Sequence, residues 1–293
     1  MDFNTAEELL EICKKENKPI SEIMRLREII YGEADADSVD SRMKKSLEIM
    51  RNSAHKPLTE VVRSIGGMIG GEAEKLEKRR TEGKSICGNV LTKALIYSQA
   101  VLEVNASMGV IVAAPTAGSA GVLPAILFAL QEEFNLDDET LLKGLFTAGA
   151  IGCLLMKNAS VSGAEAGCQA EIGSAAAMAS AAAVEMMGGT PEQCFNAASI
   201  TISNMLGLVC DPIAGLVEMP CQSRNAAGAS NALTSAEMAL AGINAAVPFS
   251  EMSDAMYRVG KGLPAELRET ALGGCAATPT GCSLKCKIFG GCN

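Results

Sequence analysis

The sequence predicts a mostly α-helical protein, on three observations. Aromatic residues are 3% of the 293 positions and tryptophan is absent, while small residues such as the 29 glycines are plentiful. That composition permits close helix–helix contact rather than a sandwich of bulky strands. Apolar residues recur at helical spacing between capping signals, with no convincing series of alternating strands. The middle of the chain is rich in Ala, Gly and Ser and nearly free of charge, so its helices are apolar almost all round and belong in a core. The expected organisation is one helical domain over 1–293. It has charged N-terminal helices over 1–84, a buried Ala/Gly-rich helical core over 85–275, and an irregular cysteine-rich tail over 276–293.

The elements follow in chain order. Thr5 and Glu8 form a capping box that opens the first helix. An amphipathic helix is predicted over 36–52. The run SIGGMIGGEAEKLEKRRTEG sets two glycine pairs ahead of a charged helix, which predicts a mobile loop. From Val104 to Gln131 there is no charged residue, a length sufficient to span a bilayer. Its middle reads APTAGSAG, a break that a lipid-exposed helix does not tolerate, so two buried helices joined by a tight loop are expected instead of a membrane span. Asp137 and Asp138 precede the apolar run LLKGLFTAGAIGCLLM. Thr190, Pro191 and Gln193 supply an N-cap, an N1 proline and a capping-box partner for the next helix. Pro264 is expected to start a helix AELRETAL that stops at Gly273 and Gly274. The remaining tail shows no hydrophobic periodicity and reads as irregular.

The formal charge of −9 argues against nucleic acid as a partner, because phosphate binding needs a basic surface. The first residues, MDFNTAEELLEICKKEN, are acidic and amphipathic rather than signal-like, so a cytoplasmic location is expected. In a reducing compartment the 11 cysteines are not expected to form disulfides. No two have the CxxC spacing of zinc ribbons or ferredoxins. Cys168 lies in NASVSGAEAGCQAEIGS, Cys210 in NMLGLVCDPIAG and Cys221 in VEMPCQSRNA. Glycine and proline around them suit thiolates held at helix ends or turns. Metal binding and simple burial as apolar thiols both remain open on this pattern.

These segments resemble the iron–sulfur L-serine dehydratases. The resemblance is carried by GVIVAAPTAGSAGVLPAIL, GAIGCLLMKNASVSGAEAGCQAEIGSAAAMA, NMLGLVCDPIAGLVEMPCQSRNA and LRETALGG, and covers roughly residues 85 to 275. It implies a helical catalytic domain in which Cys168, Cys210 and Cys221 hold a [4Fe–4S] cluster. Three ligands on four irons leave one iron open as a Lewis acid for the hydroxyl of L-serine, giving pyruvate and ammonia. It also implies a tail cysteine that caps the open iron; Cys292 matches that role, with Cys282 and Cys286 as rivals. The family's second domain is not found here, so a separate beta subunit is the expected partner.

The general base is left open. The only histidine, His55, lies outside the matched core. Lys157, Ser160 and Ser162 flank the cluster segment as catalytic candidates, with Asn158 beside them as a substrate contact or a helix cap. The loop APTAGSAG leads into a helix whose backbone N–H groups suit a substrate carboxylate. Thr116 and Ser119 add hydroxyls there, and Asn105 lies just upstream. Arg224 and Asn225, shortly after Cys221, are further carboxylate or cluster contacts. Relatives carry a hydroxyl residue in the glycine-rich loop where this chain has Met68 or Ile69, which weakens any substrate role for that loop. Three alternatives stand: a pyridoxal-phosphate lyase using Lys157, a cysteine desulfhydrase on the same scaffold, and a non-catalytic zinc-binding helical protein.

Overall fold

The most alanine-rich stretch of the sequence becomes the axis of the fold. The structure is a computed structural model and describes residues 2–291. Among these residues there are thirteen α-helices and no strand beyond one isolated bridge. Helix α9 (Cys168–Met186) is buried at nearly every position. It packs against α6 (Val122–Phe134), α7 (Asp138–Asn158), α10 (Pro191–Ser203) and α11 (Cys221–Leu240). Absent side chains make this approach possible. A Cβ on Gly144 of α7 would lie 2.8 Å from Met186 Sδ, and one on Gly152 would lie 3.0 Å from Met178 Sδ. Each glycine thus seats a methionine, about two turns apart along both helices, so α7 and α9 run antiparallel at this seam.

Around the axis, α5 (Gly88–Ala106) packs on α6 and α11. The N-terminal helices α1 (Ala6–Glu16), α2 (Ile20–Tyr31), α3 (Ala36–His55) and α4 (Glu72–Thr81) lie outside it, α2 against α7 and both α3 and α4 against α5. One cluster of buried side chains extends from Phe3 to Met256. The short α8 (Gly163–Ala166), α12 (Phe249–Gly262) and α13 (Pro279–Phe289) complete the order.

Local signals place the helix starts. Thr5 and Glu8 form the expected capping box, as do Thr190 and Gln193 behind Pro191. Asp137 accepts from Thr140 N at 2.9 Å. Each such cap stabilises its helix by about 1 kcal/mol.

Four expectations differ from the structure. The charge-free stretch is not two helices joined by a tight loop: only its first residues belong to α5, residues 107–121 are non-helical apart from turns, and α6 follows. The helix long and apolar enough to cross a bilayer is α7, with 61% of its apolar window buried against its neighbours. The glycine-rich loop is pinned rather than mobile. The buried Glu218 carboxylate accepts from Ser64 Oγ at 2.7 Å, Gly66 N at 2.6 Å and Met68 N at 3.0 Å. Glu103 caps the start of α4 through Ala73 N at 2.9 Å. After Pro264 only a 3-10 turn forms at Ala265–Leu267, and Glu269 and Ala271 take left-handed φ of 62° and 55°. Finally, the tail is not irregular. Thr278 caps and Pro279 starts α13, which packs back on the turn at Ile213–Gly215.

Candidate functional site

The three candidate thiols sit on separate pieces of backbone, and two of them, Cys168 and Cys210, meet. Cys168 is the first residue of α9, entered through Gly167 at φ 78°. A Cβ on Gly167 would lie 2.8 Å from Leu208 O, so only glycine permits this turn. Cys221 is the first residue of α11. Both thiols therefore sit at the positive end of a long helix, where a thiolate is favoured. Cys210 lies on the isolated bridge with Arg268. Its N–H donates to Leu267 O at 2.8 Å and its carbonyl accepts from Glu269 N at 2.7 Å. That pairing is why the segment after Pro264 does not continue as a helix.

All three cysteines are buried. The sulfurs of Cys168 and Cys210 and a carboxylate oxygen of Glu171 lie within 4.8 Å of one another. The Cys168 thiol is held below its usual range by a hydrogen bond from Cys210 and, against burial, by the charge of Arg224. Cys210 is pushed up by the same hydrogen bond and by burial. Cys221 is pushed up mainly by burial, and the charges of Cys168 and Glu171 also reach it. Burial likewise raises Glu171, partly offset by Thr116.

Arg224 Nη1 lies 3.5 Å from Cys168 Sγ, donates to Val209 O at 2.8 Å and pairs with Asp211 Oδ1 at 2.7 Å. Asp211 also accepts from Cys275 N at 2.6 Å. Burial works to raise its carboxyl, but Cys275 N–H and the Arg224 charge more than offset this and hold it below the ordinary range. Arg224 is thus engaged with a thiol and a buried carboxylate rather than lying on a solvated face.

The loop 114–121 lies against the same place. Thr116 Oγ1 donates to Glu171 Oε1 and contacts Ser119 Oγ at 2.9 Å. Asn225 is buried and spent on holding this loop. Its Nδ2 donates to Gly118 O at 2.7 Å, and its Oδ1 accepts from Gly121 N at 3.0 Å. Asn105 Nδ2 donates to Ala117 O at 3.2 Å and supports the loop from the other side. Ser160 Oγ donates to Glu165 Oε2 at 2.7 Å, and Ser162 N donates to Ser160 Oγ at 3.2 Å. A cavity of about 460 Å³, lined by Ser162, Ala164, Glu165, Ala265, Arg268 and Thr270, opens beside the Cys210 bridge.

Other candidates are placed elsewhere. Lys157 Nζ donates to Phe3 O at 3.2 Å and Asn4 Oδ1 at 2.8 Å, and Asn158 Nδ2 donates to Asn4 O at 2.8 Å. These two side chains tie the end of α7 to the N-terminal segment, which leaves Lys157 poorly placed as a Schiff-base lysine or a general base at the thiols. His55 packs among Tyr97 and Phe128 and faces Glu132 at 3.6 Å. Cys282 is exposed on α13, Cys286 lies on the same helix, and Cys292 lies outside the described residues.

Sequence reasoning missed Glu171, Asp211 and Glu269. Glu171 did leave a signal, as the single charged residue between Cys168 and Val184 in an otherwise apolar alanine-rich helix. The residues present fit a thiolate-bound metal group. The Cys168 and Cys210 sulfurs converge with the Glu171 carboxylate, a guanidinium faces Cys168, and the backbone leaves room beside them: a Cβ on Gly163 would lie 3.1 Å from Cys210 Sγ and 3.2 Å from Glu171 Oε2.

Comparison with known proteins adds to this geometry. A family model described as serine dehydratase alpha chain matches residues 9–276. The probable L-serine dehydratase alpha chain of Bacillus subtilis (strain 168) is 51% identical over 289 residues, 99% of this chain and 96% of that one. The L-serine dehydratase alpha chain of Peptoniphilus asaccharolyticus is 47% identical, covering 97% of each. The L-serine dehydratase of Helicobacter pylori (strain J99 / ATCC 700824) is 38% identical over 97% of this chain but only 62% of its own length.

Proposed function

The chain belongs to the serine dehydratase alpha chain family, and on that premise we propose that it acts as the alpha subunit of an L-serine dehydratase. It is a lyase that eliminates water from L-serine to give pyruvate and ammonia. A [4Fe–4S] cluster held by Cys168, Cys210 and Cys221 would supply Lewis acidity toward the substrate hydroxyl, which is otherwise a poor leaving group. The observation that carries this reading is the convergence of the Cys168 and Cys210 sulfurs beside Arg224.

The chain's own groups have distinct tasks. Arg224, fixed by Asp211, offers an N–H to the Cys168 sulfur, and its charge adds to the hydrogen bond from Cys210 in favouring the thiolate there. The loop carrying the Thr116 and Ser119 hydroxyls receives the substrate carboxylate, with Asn225 and Asn105 holding that loop in shape. Ser160 and Ser162, beside the open cavity, are the remaining candidates for contact with the reacting centre. The product enamine tautomerises and hydrolyses in water.

The name alpha chain carried by the relatives supports a separate beta chain as the partner. The reading includes a cytoplasmic location. The test is anaerobic iron and sulfide counting, with L-serine turnover, on wild type and Cys168→Ala co-expressed with the beta chain. Loss of iron, sulfide and turnover together is expected in the variant. An active, iron-free wild type would overturn the reading.

A further inference from the structure

We infer that the carboxylate of Glu171 receives the α-ammonium group of the substrate. The inference rests on the elimination proposed above, and it supplies the reason an amino acid is chosen over a hydroxy acid.

The position of Glu171 is the first support. It lies one turn into α9 from Cys168, and its carboxylate reaches within 4.8 Å of the Cys168 and Cys210 sulfurs. The second support is its lack of a cation. Among the described residues no Lys, Arg or His pairs with Glu171, and the nearby guanidinium of Arg224 is committed to Asp211 and Cys168. A partly buried carboxylate with no cation of its own is a ready receptor for a positive group. In the function proposed above the metal group is held by the cysteines, whereas the substrate brings an ammonium of its own.

The third support is the neighbour it touches. Thr116 Oγ1 donates to Glu171 Oε1, and Thr116 lies in the loop 114–121 assigned above to the substrate carboxylate. In an α-amino acid the ammonium and carboxylate share one carbon, so their receptors must adjoin, as Glu171 and Thr116 do. The fourth is clearance. A Cβ on Gly118 would lie 2.6 Å from Glu171 Oε1, and one on Gly163 would lie 3.2 Å from Oε2 and 3.3 Å from Glu269 Oε2. A loop and the start of α8 thus omit side chains around one carboxylate, and Glu269 adds a second carboxylate to the same spot.

The test uses anaerobically purified αβ protein carrying Glu171→Gln, with Glu171→Asp as the charge-conserving variant. Iron and sulfide per chain should match wild type in both. In Glu171→Gln the KM for L-serine should rise at least tenfold while kcat falls by less. Binding of L-alanine, which has the ammonium but no leaving group, should weaken at least tenfold by calorimetry. Inhibition by glycerate, which has the carboxylate and hydroxyl but no ammonium, should stay within twofold. Glu171→Asp should recover part of the L-alanine affinity. Loss of iron in Glu171→Gln would make Glu171 a metal ligand and overturn the inference. So would unchanged L-alanine affinity, or a fall in kcat at constant KM. The wild-type arm keeps the two readings apart, because iron-dependent turnover there upholds the elimination whatever the variant does.

Discussion

Helix α9 carries a glutamate near each end, each with cysteines close by, and the two ends behave as opposites. Glu171 sits in the first turn beside Cys168 and Cys210. Glu185, about 21 Å away along the helix, sits in the last turn, and its charge acts on Cys13 and Cys194. At the first end the helix N-terminus and Arg224 favour an ionised thiol. At the second end, among the described residues, no guanidinium acts on the thiols. Burial pushes Cys13 up to about 12, and Cys194 is driven well above its usual range by the same cause. Glu185 Oε2 accepts from Thr147 Oγ1 at 2.5 Å and Ser21 N at 3.3 Å, while Oε1 has no hydrogen-bond partner among the described residues. The two ends therefore differ in the polarity of the helix end and in a fixed cation, and both features favour a thiolate at the first end.

The sharpest break of this comparison is by cysteine removal at each end. Cys168→Ala should abolish iron binding and lower L-serine turnover at least a hundredfold. Cys194→Ala should keep iron and turnover within twofold and cost about 1 kcal/mol of stability by urea unfolding, through lost packing. Iron loss in Cys194→Ala would erase the distinction.

The next test removes the fixed cation's anchor. Asp211→Ala leaves Arg224 buried without its carboxylate and Cys275 N without its acceptor. A cost of about 3 kcal/mol is expected, with iron retention after gel filtration falling several-fold. Retained iron and unchanged stability would remove Arg224 from the account.

A third test compares glycines. Gly163→Ala, whose Cβ crowds Cys210 and Glu171, should lower turnover about tenfold with a melting temperature near wild type. Gly149→Ala in α7, where the nearest outside atom is Met24 Cε at 4.0 Å, should leave turnover unchanged and stabilise by about 0.5 kcal/mol. Equal turnover in both would show that the clearance beside the thiols has no function.

The smallest effect concerns pH. Burial raises the Glu185 carboxyl above its unfolded value, so its contribution to stability is full below about pH 4.5 and is lost as pH rises toward the folded value. Glu185→Gln should flatten that decline, by about 1 kcal/mol or less across pH 5 to 8 in urea melts. An unchanged slope would mean that Glu185 titrates as an ordinary surface carboxylate.

Much of the fold was legible because its signals are local. Thr5 with Glu8, Asp137, and Thr190 with Pro191 and Gln193 all cap the helices expected of them. The Thr278–Pro279 pair repeats the Thr190–Pro191 signal and also starts a helix. It was passed over because the residues after it lack apolar periodicity. The segment after Pro264 misled for the opposite reason. Its helix-forming residues are overridden by a distant pairing, as Cys210 draws Leu267 and Glu269 into a bridge and forces Glu269 to positive φ. At the site, the resemblance implied Cys168, Cys210 and Cys221 as a set; all three are buried, and the sulfurs of Cys168 and Cys210 lie together. Lys157 and Asn158 were adjacent in sequence to the right segment but point to Asn4, because α7 ends before the chain turns toward the thiols. Asp211 and Glu218 act through partners tens of residues away, which no spacing rule reveals.

The three donors that Glu218 accepts all belong to residues 64–68, and Glu218 stands three positions ahead of Cys221. A shortened protein starting at residue 85 would keep every cysteine of the thiol group yet strand an anion in the interior just where α11 begins. The smallest fragment able to assemble the centre must therefore reach back through the glycine-rich segment.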